Sequence, residues 1–306
     1  MKSDLDHLPQ SKQQELERIQ RILLEEFEVA IAQATKPHKR DGKVYKIILF
    51  GSYARDDWVD EPENGYQSDY DLLVVVSHED LTDIAHYWYV AEDRILRDPA
   101  IARPVNIIVH SLDEVNSALK RGEYFWVDIA RDGIILYERP GSALAAPQPL
   151  TAVDAYEMTA SYYGTKSADL DRWLATVDFQ LNRSKDDPGF RKLAAFNLHQ
   201  ATETAYACFL LARTLYFPRS HNIKFLRSLA EDKEPRLIEA WPRETRLDRR
   251  RFELLKRAYV EARYSAAYEI GAEDLDALGR SVLRLRDLVE GLGQERLDEL
   301  RQIAGI

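Results

Sequence analysis

Apolar residues fall at helical spacing from Ser11 to about Ala34, with Leu16, Ile19, Ile22, Leu23 and Phe27 on one face. This predicts an amphipathic helix with Ser11 as its N-cap. The pattern then changes to short, unbroken apolar runs between polar segments. KVYKIILF, ending at Gly51, YDLLVVV over 70–76, PVNIIV over 104–109 and GIILY over 133–137 read as buried strands. Helices are predicted between them, over 81–96 and over 112–121, the second stopped by Gly122. Such alternation indicates α/β layering. Residues 139–150, RPGSALAAPQPL, carry three prolines and a glycine and read as a linker. Beyond them strand-like runs cease. Leu170, Trp173, Leu174, Val177 and Leu181 keep helical spacing, as do Ala194, Leu198, Ala201, Ala205, Phe209 and Ala212. Further helices are predicted over about 222–231, 235–241, 248–269 and 273–302. The pattern therefore places an α/β domain at 1–138, a linker at 139–150 and an all-α bundle at 151–306.

Charge divides along the same boundary. Residues 1–140 hold 17 Lys and Arg against 27 Asp and Glu, a net charge of −10, whereas the remainder is balanced at 25 of each. An acidic N-terminal domain repels a nucleic-acid backbone but accepts a nucleotide that arrives with a divalent cation. The chain shows neither the apolar run of a membrane span nor that of a secretory signal, so a cytoplasmic protein is expected. Its single cysteine, Cys208, lies in an apolar stretch and reads as a small core residue.

The segment ILFGSYARDDWVDEPENGYQSDYDLLVVV, residues 48–76, carries the chemistry. A buried strand ends in Gly51-Ser52, where glycine lets backbone approach a ligand. Backbone N–H groups beyond it, with the Ser52 hydroxyl, are placed to hold phosphates, and Arg55 supplies a charge-assisted bond to the same group. Sixteen residues separate Ser52 from Asp69, which with Asp71 opens the next strand. Their period of two puts both carboxylates on one face. Two such charges close together call for a cation between them, and a divalent metal bridging to nucleotide phosphates supplies it.

Phe50-Gly51-Ser52 followed by Asp69-Tyr70-Asp71 resembles the DNA polymerase β-like nucleotidyltransferase superfamily, especially its minimal members, over residues 40–138. The resemblance implies an N-terminal mixed sheet with flanking helices and an α+β chain overall. It implies transfer of a nucleoside monophosphate from an NTP, ATP first among them, with Mg²⁺ or Mn²⁺ and loss of pyrophosphate. Asp69 and Asp71 would be the catalytic metal ligands, and Gly51, Ser52 and Arg55 the nucleotide-binding residues. Three features depart from the family pattern. The spacer is long, Asp56 stands where many relatives have glycine, and Asn106 occupies the position of a third carboxylate. Asn106 can offer a carbonyl ligand but cannot act as a base; Asp113 and Glu114 are the nearest acidic alternatives.

In the second half, Phe196-Asn197-Leu198-His199-Gln200-Ala201, Glu203, Ser220-His221-Asn222 and the run 254–270 resemble HEPN domains over about 155–290. The resemblance implies a helical bundle that dimerises, here as a homodimer. Many HEPN domains are RNases with an Arg-x4–6-His motif. At that place this chain has Arg263 and, five residues on, Tyr268. Tyrosine cannot replace imidazole as a proton shuttle near neutral pH, so RNase activity is not expected. His199 reads as a core histidine and His221 as part of a helix cap.

Three functions follow. The first is a nucleotidyltransferase acting on an acceptor hydroxyl, with a protein or cationic small molecule favoured over nucleic acid and an aminoglycoside-type acceptor as the variant. The second is a nucleotide-binding protein that has lost catalysis. The third is an interaction protein descended from a toxin–antitoxin pair.

Overall fold

The computed structural model describes residues 1–32, 34–61, 66–218 and 220–306. The chain divides into two compact units, Met1–Pro149 and Leu150–Ile306.

The first unit is built on a four-stranded sheet of β1 (Val44–Phe50), β4 (Tyr70–Val76), β5 (Val105–Ser111) and β6 (Ile134–Glu138), in the order β5-β4-β1-β6. A two-stranded ribbon joins β2 (Asp60–Glu61) to β3 (Tyr66–Gln67). The sheet is mixed. β1 runs antiparallel to β4 and to β6, while β4 and β5 are parallel. One face is closed by α1 (Gln10–Ala32), whose Leu16, Ile19, Ile22, Leu23 and Phe27 are all buried against the sheet core. The helix begins one residue before Ser11, which therefore lies inside it rather than capping it. Alternate residues of β4, Tyr70, Leu72, Val74 and Val76, face this core. The other face packs on α5 (Leu112–Arg121) and α6 (Tyr124–Asp132), where Phe50 meets Phe125 edge-on at 5.7 Å and His110 meets Trp126 at 4.8 Å. The helix predicted over 81–96 divides into a 3₁₀ turn at Glu79–Thr82, a π-helical turn at Ile84–Trp88 and α4 (Tyr89–Arg97). The break has a local cause: the Asp83 carboxylate accepts from the backbone N–H of His86 and caps a new start. Two short helices complete the unit, α2 (Pro37–Arg40) and α3 (Ser52–Arg55).

The second unit is all helical: α7 (Ala152–Arg183), α8 (Phe190–Thr214), α9 (Ile223–Lys233), a 3₁₀ turn at Pro235–Ala240, α10 (Arg246–Tyr264) and α11 (Ala272–Ala304). Alanines at 194, 201, 205 and 212 give α8 a small buried face, so the surrounding helices approach it closely. At Gly293 of α11 a Cβ would sit 2.0 Å from the Tyr163 ring of α7, which fixes that crossing. The basic run around α10 is consumed within the unit. Arg243 pairs with Glu231, and Arg250 and Arg251 pair with Asp274. No helix among the described residues is long and apolar enough to cross a membrane.

Candidate active site and comparison with known families

Strand topology brings three strand ends to one place. Because β1 is antiparallel to β4, its last residue, Phe50, lies beside Asp71 near the start of β4. Because β5 is parallel to β4, its second residue, Asn106, lies beside Asp71 on the other side. Period two sets Asp69 and Asp71 on the face opposite Tyr70. Both carboxylates are 5% exposed and Asn106 is 7% exposed. The Asn106 Nδ2 donates to Asp69 Oδ2 at 3.3 Å and to Asp71 Oδ1 at 3.0 Å. One neutral amide thus tethers two buried acidic side chains.

Gly51 closes the constellation. Its φ of 75° and ψ of −154° lie in a region that residues with a Cβ almost never occupy, and an added Cβ would come 2.5 Å from Asp71 Oδ2. The bare backbone at Gly51 is what allows the carboxylate to approach. Ser52 follows as the first residue of α3, a single turn, and Arg55 ends that turn with its guanidinium donating to Asp57 at 3.1 and 3.3 Å. Asp56 then takes the left-handed conformation, φ 66°. This is the physical reason glycine suits that position, and aspartate is among the few other residues that tolerate it.

Tyr70, between the two aspartates, anchors the strand end from behind. It packs against Tyr53 at 4.5 Å, and Tyr53 stacks on Trp58 at 5.2 Å. Burial pushes the Tyr53 hydroxyl up to about 12 and raises that of Tyr70 as well, so both stay neutral. Around them lies a buried charge group that hydropathy did not reveal, with Lys12 and Glu15 of α1 and Arg103 paired to Asp60. The one sequence hint was a Lys-x-x-Glu pair inside an otherwise amphipathic helix.

The acidic alternatives to Asn106 lie elsewhere. Asp113 is exposed on the first turn of α5. Glu114 completes a capping box with Ser111 and sits 3.4 Å from His110. Both follow the far end of β5, on the order of 15 Å from Asn106 at strand rise.

The acidic pair and the asparagine fit a hard divalent cation, which takes carboxylate and carbonyl oxygens as ligands. Turning the Asn106 amide over would present its Oδ1 in place of the shared N–H. A different group, His38, His78 and Asp80, could also coordinate a divalent metal. It lies beyond the opposite end of β4, on the order of 20 Å from Asp71, and is separate from the aspartate pair.

In the helical unit, sequence reasoning placed Arg263 and Tyr268 in one motif, and the structure separates them. α10 ends at Tyr264, where Ser265 turns extended. Tyr268 lies in the following segment, buried, its hydroxyl donating to the Leu254 carbonyl at 3.0 Å. It is a buried packing residue outside α10. Arg263 lies instead over the Tyr259 ring at 4.7 Å, and that ring also stacks on His221 at 4.4 Å and meets His199 at 5.2 Å. Two imidazoles therefore reach the arginine's neighbourhood from other parts of the chain, a gathering that linear spacing does not show. His221 interacts with Glu203 at 2.9 Å, while Asn222, rather than His221, caps α9. His199 is fully buried, and burial lowers its ring to about 4.

The family models agree with this division. Residues 31–125 match the Nucleotidyltransferase domain family, and residues 175–292 match the HEPN domain family. A search of curated proteins returned no match. With the mixed sheet and its acidic strand ends in the first unit and the helical bundle in the second, the chain is a fusion of an N-terminal nucleotidyltransferase domain with a C-terminal HEPN domain.

Proposed function

We propose that the N-terminal domain transfers a nucleoside monophosphate from an NTP, ATP first among them, to an acceptor hydroxyl on a protein or a cationic small molecule. The observation that carries this reading is the convergence of Asp69, Asp71 and Asn106 beside the bare backbone of Gly51. Asp69 and Asp71 would hold Mg²⁺ or Mn²⁺, with Asn106 able to add a carbonyl oxygen. When bound, the cation neutralises phosphate charge and polarises the α-phosphoryl group. Gly51 and Ser52 line the triphosphate with backbone N–H groups and a hydroxyl, and Arg55 exchanges its contact with Asp57 for a phosphate oxygen. Asn106 cannot take a proton, so the acceptor's proton falls to a carboxylate oxygen of the aspartate pair. The acidic charge of residues 1–140 supports a protein or cationic acceptor over nucleic acid.

The test is intact-mass analysis of the full chain after incubation with Mg²⁺ and each NTP, with pyrophosphate assayed in the same tube. A mass gain of whole nucleotidyl units, or pyrophosphate release, lost in Asp69→Asn with Asp71→Asn, supports transfer. The second reading, nucleotide binding without turnover, is favoured by Asn106 in the place of a third carboxylate. Saturable NTP binding with neither product, under conditions that supply candidate acceptors, would select it.

A further inference from the structure

The His38, His78 and Asp80 group stands outside the nucleotide chemistry. His38 is the second residue of α2, His78 is the N-cap of the 3₁₀ turn that follows β4, and Asp80 is that turn's second residue. The two imidazole rings lie 4.5 Å apart, centroid to centroid, tilted by 38°. His38 Nε2 is 3.0 Å from Asp80 Oδ2, and His78 Nδ1 accepts from the Asp80 backbone N–H at 3.1 Å. One ligand atom from each residue lies within 4.8 Å of the others. That is somewhat wider than the roughly 3.4 Å edge implied by bonds of about 2.0–2.1 Å around a tetrahedral ion, so modest side-chain rotations close the set.

The backbone beneath the cluster holds these residues at that spacing. Ser77 N donates to the Lys43 carbonyl at 2.9 Å, and Lys43 N donates to Ser77 Oγ at 3.0 Å. At Gly42, which follows α2, a Cβ would come 2.7 Å from Leu81 Cδ1 and 2.8 Å from the Lys39 carbonyl. The missing side chain at Gly42 therefore seats the end of α2 directly on the turn that carries Asp80. Two elements from distant parts of the sequence are locked together at the point where the three donors meet.

We propose that His38, His78 and Asp80 form a binding site for a borderline divalent transition metal of the Zn²⁺ class, distinct from the aspartate pair, which fastens α2 to the turn after β4. Two imidazole nitrogens and one carboxylate oxygen suit Zn²⁺, Co²⁺ or Ni²⁺ and are poor ligands for Mg²⁺. The exposure of His38 leaves room for water in the remaining coordination position. Binding would exchange the His38–Asp80 hydrogen bond and the contact of Lys39 with Asp80 at 3.3 Å for bonds to the cation, with Lys39 left beside the Tyr87 ring, 5.9 Å from its centroid. The His78 nitrogen now accepting the Asp80 N–H either becomes the ligand or takes the ring proton while the other nitrogen binds.

The test uses the full chain without an affinity tag, stripped of metal, in excess Mg²⁺ so that the acidic site is filled. Zn²⁺ is titrated calorimetrically, and Co²⁺ by its visible absorption. The expected result is one equivalent bound, with His38→Gln and His78→Gln each weakening binding roughly tenfold to a hundredfold. Asp69→Asn with Asp71→Asn should leave binding unchanged. His86→Gln, a nearby histidine outside the cluster, should also leave it unchanged. Far-UV circular dichroism confirms that each variant is folded; His38 is exposed, so its variant is the one on which the proposal stands. Equal Zn²⁺ affinity in wild type and the folded His38→Gln variant overturns the proposal. So does loss of Zn²⁺ binding only in the aspartate variant, which would place the ion at the other site.

Discussion

Substituting Gly51 by alanine tests whether the geometry of the acidic site is set by a missing side chain. The φ of 75° with ψ of −154° costs a non-glycine residue on the order of 1–3 kcal/mol. The added Cβ also meets Asp71 Oδ2 at 2.5 Å, about 0.9 Å inside ordinary contact, so the carboxylate must move. Asp71 is fixed in β4 between Phe50 and Asn106, so its own backbone gives little. Together these terms predict a loss of about 2–4 kcal/mol in unfolding free energy, read as a lower urea midpoint with unchanged slope. A double-mutant cycle with Asp71→Ala separates them. Removing the Asp71 carboxylate relieves the collision and leaves the backbone cost, so a coupling of about 1 kcal/mol is expected. Metal-dependent nucleotide affinity of folded Gly51→Ala should fall at least about tenfold, because the displaced carboxylate is a proposed ligand. A Gly51→Ala variant that unfolds at the wild-type urea concentration, or a cycle with no coupling, would refute the reasoning.

Three other expectations follow from the same structure. Asn106→Asp removes the N–H shared by Asp69 and Asp71 and adds a third negative charge, so the metal-free protein should lose about 3 kcal/mol and recover much of it with Mg²⁺ or Mn²⁺; thermal melts with and without metal check this, and an absence of metal-dependent recovery counts against the site. Asp56→Gly replaces an exposed non-glycine residue at φ 66° and should raise stability by about 0.5–1 kcal/mol in urea unfolding, a lower midpoint contradicting it. His199 is lowered to about 4 by burial, which outweighs the opposing interaction with Gln200. The unfolded ring, near 6.5, then takes the proton first, so its contribution is fully present above about 6.5 and is lost progressively as pH falls toward 4. About 3 kcal/mol is at stake over that window, and a folded His199→Leu variant should show a flatter decline in unfolding free energy; an unaltered pH slope would oppose the assignment.

The parts of the fold legible in the sequence were those in which one periodic signal dominated. YDLLVVV formed β4 at the predicted bounds because every residue of that strand is buried, and the α1 face was read correctly from five apolar positions. The convergence of Asp69, Asp71 and Asn106 was foreshadowed by the motif, yet its geometry depends on strand order, which local pattern does not encode. Glu114, an acidic alternative lying past the strand in sequence, serves in a helix cap at the other end of β5. α6 escaped notice because YFWVDIARD is too short and too aromatic to separate a helical period from a strand-like run. The burial of Lys12, Glu15 and Arg103 is not legible in the sequence, because hydropathy does not register buried charges that find one another through the fold. Tyr268 was misplaced for a related reason. The helix was extended through Ser265–Ala267, where the sequence shows no proline or glycine to stop it, but α10 gives way and Lys192 of α8 binds the carbonyls of Ser265 and Ala266.

The central claim is that Asp69 and Asp71 jointly hold a divalent cation on a nucleotide. Calorimetric titration of ATP into the full chain, with Mg²⁺ and with a chelator, measures this directly in wild type and in the Asp69→Asn, Asp71→Asn variant. The account predicts saturable binding that requires Mg²⁺ in the wild type and is weakened at least about a hundredfold in a variant that remains folded. Equal Mg²⁺-dependent affinity in the two proteins would contradict it.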